Sequence, residues 1–227
     1  KCSILHLLTH TSGIPEYTES DYIRRQAHTP GTQALSDEEI FEQVGTMTPQ
    51  FVPGEGWRYS NTGYMLLRRL IEKVTGTSFA LAMQNLVFTP LELCHSRVIT
   101  QQQNEGITPG FAQFFDPSGG LQKINPIYDP NWVKTGLVAS TVSDMTSLFS
   151  RLFRGRVLSD DMLQEMTRVR RIWDGSAKAN VPLRYGCGID IFSAKPGSRE
   201  YGHGGGGPGY TLGCKFWELD HNNTLAI

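Results

Sequence analysis

The stretch Tyr201-Gly202-His203-Gly204-Gly205-Gly206-Gly207-Pro208-Gly209-Tyr210 decides how the C-terminal part of this chain is read. Five glycines fall between His203 and Tyr210, more than a packed element needs. Glycine has no Cβ, so the amides of such a segment are open to close approach by another molecule, and positive φ is tolerated. Apolar and aromatic runs flank it, Tyr185 to Phe192 before and Tyr210 to Leu219 after, and both read as strands. The pattern predicts a strand edge stripped of side chains with one imidazole at its start. A glycine hairpin loop is the structural alternative, because Gly-Gly and Pro-Gly pairs mark turns. The stretch alone leaves both open.

Around it the chain divides into helices first and strands last. Strands are predicted at about 185–193, 199–204, 209–219 and 223–227, with Asp220-His221-Asn222-Asn223 as a turn. Upstream, Ser3 caps a short helix carrying Ile4, Leu5, Leu7 and Leu8, closed by Gly13 and Pro15. Residues 15–35 read as polar and irregular. Ser36-Asp37-Glu38-Glu39 is a capping box. Thr62 to Val74 is a strong amphipathic helix with Leu66, Leu67, Leu70, Ile71 and Val74 on one face and Gly76 after it. A helix from Ser78 through Phe88, one over Val142 to Arg154 and one over Ser159 to Arg168 complete the set. Residues 101–130, rich in Gly, Pro, Gln and Asn, read as a long excursion of the kind that forms functional rims. This order predicts an α+β fold in which residues 1–180 are mainly helical with long loops and 181–227 supply antiparallel strands of a single domain.

Composition narrows the partners. The 227 residues are 39% hydrophobic and 19% charged, with net charge −1. No basic patch or charge run points to nucleic acid. No apolar run approaches the ~18 residues of a membrane span. Cys2, Cys94, Cys187 and Cys214 are scattered, with no C-x-x-C, and read as core thiols, Cys187 and Cys214 in strands. The chain opens at Lys1 and stops inside the apolar run Thr224-Leu225-Ala226-Ile227. A sheet cut there would expose unpaired backbone, so the sequence is expected to be an internal piece of a longer chain with marginal solubility by itself.

Two candidate clusters carry chemistry. His6 and His10 stand at i, i+4, but no third ligand lies nearby in sequence, so no metal site is assigned and His10 is expected to bond backbone in its turn. Pro53-Gly54-Glu55-Gly56-Trp57-Arg58-Tyr59-Ser60-Asn61 leads straight into the helix at Thr62. In an extended segment Tyr59 and Asn61 point the same way around Ser60. Alone, Asn61 reads as a helix cap and Tyr59 as core; beside a bare strand edge the pair reads as catalytic.

These motifs in this order resemble the β-lactamase-related serine hydrolases: Leu7-Leu8-Thr9-His10-Thr11-Ser12-Gly13, Tyr59-Ser60-Asn61, Gly136-Leu137 with Ser140-Thr141 and Asp144-Met145, and Tyr201-Gly202-His203-Gly204-Gly205. The family includes class C β-lactamases, D-alanyl-D-alanine carboxypeptidases, D-aminopeptidases and esterases. The resemblance implies three motifs, Ser-x-x-Lys, Tyr-x-Asn and Lys/His-x-Gly. Tyr59-Ser60-Asn61 fits the second and His203-Gly204-Gly205 the third. No lysine here has a serine three residues before it, and there is no G-x-S-x-G elbow. The family pattern places the nucleophile upstream of the Leu-Leu-Thr-His-Thr-Ser-Gly stretch, hence before Lys1.

Acyl transfer needs a nucleophile, a base and donors to the oxyanion. By the resemblance Tyr59 is the expected base or proton shuttle, needing a nearby cation because a free phenol titrates near 10. Asn61 would position substrate and the lysine. His203 would meet a substrate carboxylate or assist proton transfer. Gly204, Gly205 and Gly206 would bind substrate by backbone pairing, Gly206 N–H supplying an oxyanion donor. His in place of Lys at 203 gives a partial charge at pH 7 and points towards a peptidase or esterase rather than an efficient β-lactamase. The expected partners are a small ester, a β-lactam or a D-amino-acid peptide, with no cofactor. Two other readings stay open: a catalytically dead relative that binds peptide or a protein partner, and a metal hydrolase using His6, His10 and His203. The 227 residues as written are expected not to turn over, for want of a nucleophile.

Overall fold

Every α-helix among the described residues opens on a hydroxyl side chain. The computed structural model describes residues 1–100, 106–125, 127–173, 180–192, 199–220 and 223–226. Ser3 caps α1 (Ile4–Leu8), Ser20 caps α2 (Asp21–Ala27), Ser36 caps α3 (Asp37–Gly45) and Ser60 caps α4 (Asn61–Thr75). Ser78 caps α5 (Phe79–Met83), Thr141 caps α6 (Val142–Phe153) and Ser159 caps α7 (Asp160–Met166). Each accepts the N–H three residues on, a contact worth about 1 kcal/mol. The capping box at Ser36 and Glu39 is present, and Gly76 ends α4 at φ 67.

Among the described residues, strands form three short antiparallel pairs and one larger sheet. β1 (Arg97–Val98) pairs with β4 (Val138–Ala139), β2 (Phe111–Ala112) with β3 (Gln122–Lys123), and β5 (Arg170–Trp173) with β6 (Asn180–Leu183). The larger sheet holds β7 (Asp190–Phe192), β8 (Arg199–Gly207), β9 (Tyr210–Asp220) and β10 (Asn223–Ala226) in the order β10-β9-β8-β7, all antiparallel. The architecture is α+β. The sheet is seated on α6 by a buried aromatic cluster, in which the Phe153 ring stacks on Tyr201 at 4.8 Å and on Phe216 at 4.6 Å. Such pairs add roughly 0.5–1.5 kcal/mol each beyond area burial. A second core gathers Tyr17, Ile23, Ile40, Val44, Met65 and Trp132 around the N-terminal half of α4.

Several expectations are corrected. The segment 15–35 is ordered, with a 3₁₀ turn at Tyr17–Glu19 and α2 after it, and it gives Tyr17 and Ile23 to the core. A polar, capped seven-residue helix has too short a stripe to stand out as periodic. The helix from Ser78 becomes a π-helical turn at Gln84–Phe88. On α4 the buried residues are Thr62, Gly63, Met65 and Leu67, whereas Ile71 and Val74 are exposed, because only its first half is covered by the core. Cys214 lies in β9, but Cys187 sits in a bend, and all four cysteines are free thiols. Residues 221–222, the centre of the turn expected at 220–223, lie outside the described residues, as do 101–105 and 126 of the long excursion, 193 and 227.

Candidate active site

Segments far apart in sequence meet at the start of α4. After α1 the chain turns sharply, with His10 at φ 57 and Gly13 at φ 71. A non-glycine residue at positive φ is uncommon and marks a position held by its surroundings. His10 is 1% exposed. Its carbonyl accepts the Arg58 N–H at 3.0 Å and its Nδ1 accepts the Ser60 N–H at 3.1 Å. The extended run into the Tyr-x-Asn corner is thereby fixed from one side. Because Nδ1 accepts, the neutral ring carries its proton on Nε2, and Nε2 is buried with no described partner. Rings surround it: Tyr59 at 4.3 Å, Tyr64 at 4.9 Å and Tyr185 at 4.7 Å between centroids. Burial, with the positive field of His203 second, pulls the His10 pKa from 6.5 to about 4. His10 thus bonds backbone as expected, but that of Ser60, fifty positions on. His6 is engaged elsewhere, in the cap of α1.

Glu16 fixes the same corner from the other side. Its carboxylate is buried and accepts the backbone N–H groups of Asn61 and, at 3.3 Å, Thr62. It also accepts the Asn61 side-chain Nδ2 at 3.1 Å and the Thr18 hydroxyl at 3.0 Å. An anion at a helix N-terminus is favoured by the unpaired N–H groups and the dipole there.

Tyr59 emerges from this corner 44% exposed. Its ring centroid is 6.5 Å from that of His203. Burial first, then the carboxylates of Glu16 and Asp190, raise its pKa above the ordinary 10. No cation among those acting on it offsets them, so the phenol is protonated at neutral pH in this set of residues. His203 lies at the head of the bare part of β8. Its Nε2 is 3.0 Å from the Tyr185 hydroxyl and its Nδ1 2.5 Å from the Gly204 carbonyl oxygen. Burial also drives the Tyr185 pKa up.

The edge of β8 is half covered. β7 pairs with Glu200, Tyr201 and Gly202 only, while β9 runs along the other side as far as Gly207. From His203 to Gly207, no described strand lies on the outer side. A Cβ on Gly202 would run into the Cys214 carbonyl, so packing demands that glycine. A Cβ on Gly206 or Gly207 would have no described atom within 4 Å. Among the described residues, the space over these two is open. The long excursion reaches the start of β9, just past the end of β8: the Tyr210 hydroxyl donates to Thr108 O at 2.7 Å or Asn125 Oδ1 at 2.8 Å, and Gly110 N–H donates to Asn125 Oδ1 at 2.9 Å.

The structure therefore brings Tyr59, His203 and the uncovered edge of β8 at Gly204, Gly205 and Gly206 to one place. It turns the Asn61 amide nitrogen towards Glu16. Sequence reasoning missed Glu16, Tyr64 and Tyr185; a lone Glu in a polar stretch and two tyrosines in apolar runs carry no signal of their own.

The family model described as Beta-lactamase matches residues 1–214. The chain belongs to the beta-lactamase family. It is 26% identical over 236 residues to a penicillin-binding protein of Bacillus subtilis, covering 98% of this chain and 50% of that protein. It is 26% identical over 180 residues to a D-aminopeptidase of Brucella ovis, covering 79% and 32% respectively. Among solved structures, a D-stereospecific amidohydrolase from Streptomyces sp. superposes with a TM-score of 0.83 at 28% identity, covering 100% of this chain and 67% of that one. The chain thus spans half of the first relative and about a third of the second. These proteins are hydrolases and penicillin-binding proteins of one fold, and the beta-lactamase-family assignment accounts for the helix-then-sheet order seen here. No described helix is long and apolar enough to cross a membrane.

Proposed function

We propose that the protein carrying this chain is a serine hydrolase that forms an acyl-enzyme on D-amino-acid amides or peptides. The observation that carries the reading is the approach of Tyr59 to within 6.5 Å of His203, 144 positions away, beside an open strand edge. Tyr59 handles the proton. Held protonated by burial and two carboxylates, it serves as a relay between nucleophile and leaving group; as a base it would need a cation. Along Gly204 to Gly206 the backbone groups that point away from β9 pair with substrate backbone, and Gly206 N–H faces the developing oxyanion, an interaction typically worth roughly 2.7–4 kcal/mol. His203, held by Tyr185, meets the acyl or carboxylate end of the substrate. The relatives named D-aminopeptidase and D-stereospecific amidohydrolase support D-amino-acid amides over β-lactams, as does the imidazole at 203. The reading requires a nucleophilic serine, and no Ser-x-x-Lys exists in these 227 residues.

A second reading is a binding protein without turnover. One experiment separates them. The full-length protein is incubated with a chromogenic D-amino-acid amide and with a labelled penicillin, and covalent adducts are located by mass spectrometry. The hydrolase reading expects turnover, a serine-linked adduct, and a fall of roughly 10²–10⁴ in Tyr59→Phe. Binding without adduct or turnover supports the second reading. Undiminished turnover in Tyr59→Phe overturns the assignment of Tyr59.

A further inference from the structure

We propose that Glu16 is the positioning residue that decides which atoms of the Asn61 carboxamide face the cleft, a role that rests on the hydrolase reading above. A carboxamide presents oxygen at one end and nitrogen at the other in nearly the same shape, so only its hydrogen-bond partners fix its orientation. An ionised carboxylate accepts and never donates. Glu16 Oε1 takes the Asn61 Nδ2 at 3.1 Å, while Oε2 takes the backbone N–H of the same residue. Flipping the amide would set Asn61 Oδ1 against a carboxylate oxygen, two acceptors with no proton between them. The native arrangement leaves Oδ1 and the second amide proton for whatever enters the cleft.

Helix capping explains this carboxylate only in part, through the Asn61 and Thr62 N–H groups that it accepts. Ser60 already caps α4 by accepting the Gly63 N–H at 3.1 Å. Of the donors that Glu16 collects, the side-chain nitrogen of Asn61 adds nothing to the helix. Glu16 is also brought here from 45 positions away by a turn whose other end, His10, holds the backbone of Ser60. The two clasps fix the corner in different ways. His10 sets where the backbone runs, and Glu16 sets how the amide is turned.

The test uses the full-length protein labelled with ¹⁵N. The Asn61 side-chain signals are assigned by their loss in Asn61→Asp. In the wild type one amide proton of that pair is expected downfield and slow to exchange; a pair at ordinary solvent-exposed positions overturns the proposal with no further variant. Glu16→Gln is expected to abolish the downfield shift and to lower kcat/KM for a D-amino-acid amide by about 10²-fold, mainly in kcat, as misalignment of a substrate-facing group does. Thr18→Val, which removes another partner of the same carboxylate without touching Asn61, should leave both readouts near wild type. Unchanged Asn61 signals in Glu16→Gln, or shifted signals with wild-type turnover, overturn the proposal. A wild-type protein that does not hydrolyse the amide sinks the hydrolase reading alone, and the resonances still decide how Asn61 is turned.

Discussion

Acid should destabilise this fold through His10. In the folded chain burial holds the His10 pKa at about 4, whereas the unfolded chain takes up a proton near 6.5. Above pH 6.5 the ring is neutral in both states and costs nothing. As the pH falls from 6.5 towards 4 only the unfolded state gains the proton, so stability drops, and below 4 the loss is complete. One pKa difference of this size removes about 2 kcal/mol at pH 5 and about 3 kcal/mol below pH 4. The control is His10→Asn. Asparagine is at ease at φ 57, its Oδ1 can accept the Ser60 N–H where Nδ1 did, and it does not titrate. Urea unfolding of the full-length protein and of His10→Asn is measured at pH 7.5 and pH 5.0. Any packing cost of the substitution is common to both pH values and cancels in the difference. Wild type should lose about 2 kcal/mol more than His10→Asn between the two. Equal losses, within about 0.5 kcal/mol, would show that the imidazole is not held neutral and that the buried ring cage has been misread.

Four further outcomes are expected. Gly202→Ala should destabilise by about 2 kcal/mol, because its methyl meets the Cys214 carbonyl and the β8–β9 ladder must open; Gly206→Ala should leave the unfolding midpoint nearly unchanged, within about 0.5 kcal/mol, yet cut turnover by at least about tenfold, and thermal unfolding beside steady-state kinetics separates the two. Arg68→Met should cost about 3 kcal/mol by chemical unfolding, since the mostly buried guanidinium pairs with Asp37 and Glu72 and donates to the Lys134 carbonyl at 2.8 Å. Tyr185→Phe removes the hydroxyl 3.0 Å from His203 Nε2, and about 1 kcal/mol of stability should go with it in chemical unfolding.

What the sequence disclosed was local. Hydroxyl caps before Ile4, Asp37, Phe79, Val142 and Asp160 are nearest-neighbour chemistry, and each helix they announced is present; at α4 the cap is Ser60 and not Asn61, which is the first helical residue. The strands on either side of the turn at Pro208-Gly209 were legible for the same reason, whereas the strand expected from 185 begins only at Asp190. The segment around Glu16 was not. Its structure comes from contacts 45 or more positions away, such as Tyr17 N–H to Thr62 Oγ1 at 2.9 Å and the Tyr17 hydroxyl to Trp132 O at 3.0 Å. No periodicity encodes such partners. The stripe on α4 failed differently: Val74 keeps its place in the pattern but lies beyond the end of the core that covers Met65 and Leu67.

The glycines of β8 show what coordinates add to a motif. In the sequence they are equivalent, a run of small residues before Pro208. In the fold they separate by cause. Gly202 has no room for a side chain, and just beyond the strand Gly209, at φ 79, holds a turn conformation that side chains resist. Gly206 and Gly207 satisfy neither condition. Their backbones are extended, a methyl on either would have no described atom within 4 Å, and strand interiors favour β-branched residues over glycine. Two positions that weaken the strand without relieving any crowding inside the molecule are best accounted for by something that approaches from outside. That approach has to come along the one side of β8 that no described strand covers, between the Tyr59 phenol and the residues that follow His203.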